Sequence, residues 1–406
     1  MLLIKPYLGC NLQCKYCYQR ETRKALKPKL EYNLEAILKR MEEYKDLPMS
    51  LHGGEPLVLP KKDLEIIFKK MFELQGKSGI QTNGTLIDND HIAMFKKYKT
   101  SVGISFDGPG ILSEYRPGSR KTEKIIERLK SEGIAVGIII VVHKANAGNN
   151  YRLKKLKNYL LKLNKMGITG RLNPCVGAPE YELEEKRLIE VYLDLAEFCV
   201  KYGLKWSPFI DIVHGLQGKS RVCIFEGCDI YHTPAATTLL GDGSVTNCLR
   251  TNEIVTRLKG PRMLIRHPIK YDTRDEILKQ IPQEYGGCKD CKYFYACHGG
   301  CPSSGINDDW RNRTYLCNLW KSLFEYFENV LKFIEYPFSK TLEAKKEATS
   351  QLKHLDHCDS NLPQELHQNG HGDYSRHGDH ADAHSDAHGD VPHGDWSNHG
   401  DSSQLS

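Results

Sequence analysis

Short β-rich runs alternate with amphipathic helical patterns through the first half of the chain. Strands are predicted at Leu2 to Tyr7, Met49 to His52, Gly79 to Thr82, Ser101 to Phe106, Ala135 to Val142 and Ile168 to Asn173, with β-branched content and Gly or Pro at their borders. Between them apolar residues recur at helical spacing, as at Leu34, Ile37, Leu38 and Met41. Such β-then-α units in series imply an α/β fold: a parallel sheet with right-handed crossovers, closing into a partial (β/α)6 barrel of the TIM type. Polar or ligand-like residues follow every strand. They are the cysteine loop Cys10 to Cys17, Gly53-Gly54-Glu55-Pro56, Thr82-Asn83-Gly84, Asp107-Gly108, His143 to Asn146, and Asn173. The C-terminal strand ends of a parallel barrel share one rim, so these sequence-distant motifs are expected at one mouth.

A helix is predicted near Leu183 to Tyr202, after which periodicity fades into a Cys- and Gly-rich stretch from about Cys223 to Cys317. A last amphipathic helix covers Leu319 to Ile334. A charged linker then leads to His-x-Asp repeats starting at His371, His377, His380, His384, His388, His393 and His399. The expected organisation is a barrel over residues 1–205, a cysteine-rich domain with its closing helix over 206–337, a linker over 338–370 and a tail over 371–406. The tail's composition cannot bury a core and reads as disordered.

Charge adds little to this picture. The chain carries +6 over 406 residues, and the segment from Ser360 holds eight acidic residues against Arg376, which leaves the preceding body near +13. A body that basic could attract an acidic peptide or a nucleic acid, and charge alone does not choose between them. No charged-then-apolar leader precedes the first motif and no run approaches about eighteen apolar residues, so neither export nor membrane spanning is supported and the chain reads as cytoplasmic. In that compartment fourteen cysteines point to metal ligation rather than disulfides.

Cys10-x3-Cys14-x2-Cys17 follows the first strand, and three thiolates on one short loop can hold three irons of a 4Fe-4S cube, leaving the fourth iron open. A zinc knuckle would want a fourth protein ligand close by, and this loop offers none. The order of this motif, Gly-Gly-Glu-Pro, Thr-Asn-Gly and Ser-Phe-Asp-Gly resembles the radical S-adenosylmethionine (SAM) superfamily across about residues 1–180. The resemblance implies that the amino and carboxylate groups of SAM fill the open iron position, that Tyr16 lies by the adenine, and that Gly53, Gly54 and Glu55 hold the methionine amino group. It further implies that Thr82, Asn83, Ser105 and Asp107 line the ribose and sulfonium region. The chemistry agrees, since paired glycines let backbone carbonyls approach an ammonium and a carboxylate complements it. For Thr82 and Asn83 a turn-forming role is an alternative.

Cys223, Cys228, Cys248, Cys288, Cys291, Cys297, Cys301 and Cys317 suffice for two further fully ligated 4Fe-4S clusters, three in all; two zinc ribbons would use as many thiols but fit the x5 and x3 spacings poorly. Their spacing, with Gly243-x4-Cys248, resembles the SPASM domain of peptide-modifying radical SAM enzymes. That resemblance implies an interleaved pairing, Cys223, Cys228, Cys248 and Cys301 against Cys288, Cys291, Cys297 and Cys317. Of the remaining thiols, Cys199 and Cys175 are read as packing residues and Cys358 as a solvated linker residue.

The expected activity is that of a radical SAM/SPASM peptide maturase, an oxidoreductase fed by a reductant such as flavodoxin or ferredoxin, with no nucleic acid and no membrane as partner. Some SPASM maturases join an aromatic ring to the β-carbon of a residue two positions on, and His-x-Asp has that form. The substrate is then a separate precursor or the chain's own tail, which a linker of roughly 30 Å root-mean-square span lets reach the mouth. Three other readings stand beside this one. A sulfatase-maturating enzyme shares both domains but carries an Asp after the cysteine of Gly-x4-Cys, where this chain has Leu249 and Arg250. A thioether-forming maturase is the second, and the third is a non-enzymatic metal handler that uses the His-rich tail for ions.

Overall fold

The computed structural model describes residues 1–219, 223–230, 235–248 and 273–333. Strand β1 (Leu2–Lys5) ends at Pro6, which has no N–H for the ladder, and the chain passes through the cysteine loop into helices α1 (Arg20–Leu26) and α2 (Leu34–Glu43). There follow β2 (Met49–Leu51) with α3 (Lys61–Gln75), β3 (Ser78–Thr82) with α4 (Asn89–Lys97), and β4 (Thr100–Ser105) with α5 (Ser119–Ser131). The series continues with β5 (Val136–Val142), the short α6 (Lys144–Ala147) and α7 (Asn150–Lys165), then β6 (Thr169–Pro174) with α8 (Glu185–Tyr202). Side-chain caps fix several helix starts: Ala36 donates its N–H to Asn33 Oδ1 (3.0 Å), His91 to Asp88 Oδ1 (3.1 Å) and Arg152 to Asn149 Oδ1 (3.0 Å).

Six strands thus form where the alternation predicts them, within a residue or two, and pair parallel in the order β6-β5-β4-β3-β2-β1, the arrangement of a partial barrel. Period-two geometry gives each strand two faces. Ile80, Val102, Ile104, Ile138, Ile140, Val142 and Leu172 are buried in the hydrophobic core, while the opposite parity turns Gln81, Ser105, Ile139, Val141 and Asn173 to the cavity described below.

The cysteine-rich half contributes α9 (Phe209–Leu216), β7 (Thr237–Leu240), β8 (Val245–Thr246), α10 (Arg274–Gln280), α11 (Phe294–Cys297) and α12 (Cys317–Phe333). It also joins the barrel sheet. β7 pairs parallel with β1 in the register Leu2↔Thr237 to Lys5↔Leu240, and β8 closes a hairpin on it. Thr237, Thr238 and Leu239 are buried in succession, so β7 carries no apolar–polar alternation and is silent in the sequence. One core runs through both halves, from Leu2, Ile4 and Phe106 to Trp206, Phe225, Leu239, Trp320 and Leu323. Leu188, Tyr192, Leu195 and Cys199 form the predicted buried stripe of α8. Among the described residues no helix is long and apolar enough to cross a membrane. Leu249, Arg250, Cys358 and the linker and tail lie outside the described residues.

Candidate active site

A cavity of about 280 Å3 opens at the C-terminal ends of the strands. Cys10, Cys14, Tyr16, Cys17, Gly53, Gly54, Glu55, Thr82, Asn83, Ser105 and Asn173 all line it, so loops spread over more than 160 residues of sequence meet in one place. The glycines are sterically required. A Cβ on Gly54 would stand 2.2 Å from the carbonyl oxygens of Gly9 and Leu8, and one on Gly53 2.8 Å from that of Tyr7, so only glycine lets this loop pack on the cysteine loop.

Glu55 is buried and accepts three hydrogen bonds within the chain while still lining the cavity. Its Oε1 accepts from the Thr82 hydroxyl (2.6 Å) and the Leu57 N–H (3.1 Å), and its Oε2 accepts from the Asn83 N–H (2.7 Å). Burial raises its pKa against these donors, and Arg116 also opposes the rise. The side chain of Asn83 donates to Asn11 Oδ1 (2.9 Å) and accepts from the N–H and hydroxyl of Thr85. Thr82 and Asn83 therefore shape turns as well as lining the cavity.

Asp107 departs from the other predicted residues. It does not line the cavity, and lies wholly buried beside Tyr16. Its Oδ2 accepts from the Tyr16 hydroxyl and from Arg116 Nε (3.1 Å), with His143 Nε2 at 3.4 Å, while its Oδ1 accepts from the Val141 N–H (3.0 Å). Burial works against the carboxylate, but Arg116 and His143 hold its pKa down at about 2. Arg116 in turn stays charged despite desolvation because Asp107 and Tyr16 face it, and its guanidinium lies 5.4 Å from the Tyr16 ring centroid. Asp107 is a strut that sets Tyr16 and Arg116, and Phe106 beside it turns to the core.

Arg23, His52, Gln81, Arg116, Ile139 and Val141 also line the cavity and are absent from the sequence-derived set. Counting back by twos from His143, the polar residue after β5, would have given Val141 and Ile139, whereas the same count from Thr82 in β3 gives the buried Ile80, so Gln81 emerges only from its register opposite Gly103, two residues before Ser105. Nothing local marks Arg116, whose role exists only through its partner. Burial, with Lys5 adding to it, drives the His52 imidazole down to about 4. Cys175, read as packing, is buried and also lines the cavity.

The thiol set suits a cube. Burial pushes Cys14 up to about 11, with Arg116 opposing, and Arg23 Nη2 donates to Cys17 Sγ (3.5 Å). Among the described residues no three His, Cys, Asp or Glu side chains converge closely enough to hold a single metal ion. A 4Fe-4S cube has no such requirement, because each thiolate takes its own iron. In the cysteine-rich half the thiols fall into two electrostatic groups. Cys228 is surrounded by Cys248, Cys301 and Cys223, and Cys297 by Cys317, Cys288 and Cys291. The second group lines one small cavity with Phe294, Thr314 and Lys321.

Comparison with known proteins agrees with this geometry. Residues 4–171 match the model of the radical SAM superfamily. A cysteine-type anaerobic sulfatase-maturating enzyme of Clostridium novyi is 34% identical over 376 residues, covering 80% of this chain and 94% of the relative. The solved structure of native anSMEcpe with bound AdoMet and Cp18Cys peptide is 25% identical, with a TM-score of 0.63 over 82% of this chain and 98% of that one. Streptococcus suis SuiB bound to precursor peptide SuiA shares the fold, at 16% identity and a TM-score of 0.52 over 78% of this chain and 75% of that one. With thiols, glycines and strand ends brought to one mouth, and likeness running through both halves, the chain belongs to the radical SAM superfamily of enzymes.

Proposed function

We propose that this enzyme modifies a side chain of a peptide or protein by radical chemistry at the barrel mouth. A 4Fe-4S cluster on Cys10, Cys14 and Cys17 would supply the electron that cleaves SAM to methionine and a 5′-deoxyadenosyl radical, which takes a hydrogen from the substrate. Tyr16 would flank the adenine, Gly53 and Gly54 would leave backbone carbonyls open to the methionine ammonium, and Thr82, Asn83 and Ser105 would line the ribose side. Asp107 acts through Tyr16. Ile139 and Val141 keep the inner wall apolar, which limits water around a reactive species. The observation that carries this reading is the single cavity shared by the three thiols and the glycine loop.

The two outer thiol groups would hold auxiliary 4Fe-4S clusters, Cys223, Cys228, Cys248 and Cys301 for one and Cys288, Cys291, Cys297 and Cys317 for the other. Their electrostatic grouping supports that interleaved division. A flavodoxin or ferredoxin would deliver the electron. Peptide as substrate class is supported by the relatives, since sulfatase maturation acts on protein and both solved neighbours carry peptides. As the finer reading, the repeats from His371 support a cross-link within a His-x-Asp peptide, in the tail or in a separate precursor. Sulfatase-type maturation is the second reading, favoured by the 34% identity and opposed by Leu249 in place of an Asp after Cys248.

Reduced, reconstituted protein given SAM should release 5′-deoxyadenosine, and Cys14→Ala should release none. A wild type that binds about 12 irons yet leaves SAM intact sinks the proposal. Mass spectrometry then separates the two products. Loss of two hydrogens per His-x-Asp unit marks the cross-link, whereas oxidation of a Cys or Ser in a sulfatase-derived peptide with the His-x-Asp peptide unchanged marks the second reading.

A further inference from the structure

Arg274, the first residue of α10, is 1% exposed, and among the described residues no carboxylate forms an ion pair with its guanidinium. Backbone carbonyls surround it instead. Its Nε donates to Trp310 O (2.7 Å), Nη1 to His298 O and Gly300 O (both 3.0 Å), and Nη2 to Asn312 O (3.0 Å) and Gly299 O (3.3 Å). His298, Gly299 and Gly300 are the x3 segment between Cys297 and Cys301, the point where the chain passes from one thiol group to the other. All three take positive φ, at 50°, 71° and 71°, and this left-handed run turns three successive carbonyls onto one cation. A Cβ on Gly299 would lie 3.5 Å from Arg274 Nη2 and 3.6 Å from Cys288 Sγ, so the guanidinium and a thiol of the second group flank the same small residue.

A buried cation with only neutral acceptors is costly unless negative charge stands near it. Burial pulls the guanidinium pKa down, and the atoms that most oppose this are the sulfurs of Cys301, Cys228 and Cys288, drawn from both groups, which carry negative charge once they bind a cluster as thiolates. Asp275, next in the chain, is engaged with His298 Nδ1 at 2.8 Å. A 4Fe-4S cluster on four thiolates is anionic in both its common redox states and gains one negative charge on reduction.

We infer that Arg274 is the shared positioning residue of the two auxiliary clusters: it fixes the turn that links their ligand sets and, as the fixed cation between them, raises both reduction potentials. The inference rests on the reading of the eight outer thiols as cluster ligands. A nearby positive charge favours the more negative, reduced state, so its removal lowers the potential.

The test uses the full chain with Cys10, Cys14 and Cys17 changed to Ala, so that only the outer thiols hold clusters. Iron content is measured first, and midpoint potentials then follow from a redox titration read by electron paramagnetic resonance. About 8 irons are expected. Added Arg274→Gln should shift the potentials to more negative values, and Arg274→Lys, which keeps the charge but loses the fork, should keep them near the parent. Loss of clusters in the Gln variant with retention in the Lys variant supports the same conclusion. Full iron and unchanged potentials in the Gln variant overturn the inference and leave the cluster reading standing, as does equal cluster loss in both variants, which means that the fork serves folding alone. A parent without iron–sulfur signals removes the cluster reading, and the inference with it.

Discussion

At the scale of the residue, close packing and buried charge set the strongest constraints. Gly54→Ala would force a Cβ against two carbonyl oxygens 2.2 Å away, and backbone on both sides leaves little room to yield. The expected cost is about 1–3 kcal/mol or more, together with loss of 5′-deoxyadenosine release. Denaturant midpoints and product assays check both, and full activity would remove the close-approach argument. Asp107→Asn leaves Arg116 buried without its counter-charge, with an expected destabilisation of about 3–5 kcal/mol in the same assay. His52 gives a pH signature. Its pKa is about 4 in the folded protein against 6.5 when solvated, so the unfolded chain takes up the proton first as pH falls. Its contribution to stability is complete above pH 6.5 and is lost as pH drops towards 4. The fall in unfolding midpoint between pH 7.5 and 5 should therefore be smaller in His52→Gln than in the wild type, and equal falls would contradict the assignment.

Among the elements, α12 and β7 tie the cysteine-rich half to the barrel. α12 packs against α8 and α9, with Leu323 and Phe324 fully buried beside Tyr192, Phe209 and Phe225. Leu323→Ala should cost about 2–5 kcal/mol, read as a lowered midpoint of one transition. A variant that loses only a separate early transition would mean that the two halves melt independently. β7 hydrogen-bonds to β1, the strand that delivers the cysteine loop, so the register of the second half bears directly on the placement of Cys10. This pairing joins residues more than 230 apart in sequence, and no local pattern encodes it.

Over the whole molecule, every residue assigned to the cavity and to the outer thiols falls before Thr349, where the first compact unit ends. A chain truncated after Thr349 should therefore cleave SAM at a rate close to that of the full chain, while any product on the His-x-Asp repeats in cis disappears. Loss of cleavage on truncation would show that the tail serves the site itself. The sequence by itself determined the six strands and the polar loops that follow them, and its cysteine spacing marked the thiols that gather in the cysteine-rich half. Alternation, β-branched content and cysteine spacing are local properties, and a parallel barrel collects its strand ends whatever the details of packing. Tertiary structure decided the rest. It turned Asp107 away from the cavity to brace Tyr16 and Arg116, tied Glu55 to Thr82 and Asn83, extended the sheet through β7, and buried Arg274 against the carbonyls of the segment that joins Cys297 to Cys301. Each of these depends on a partner distant in sequence and on burial, which makes a pairing of charges or backbone groups strong, and neither is written in the neighbours of the residue concerned.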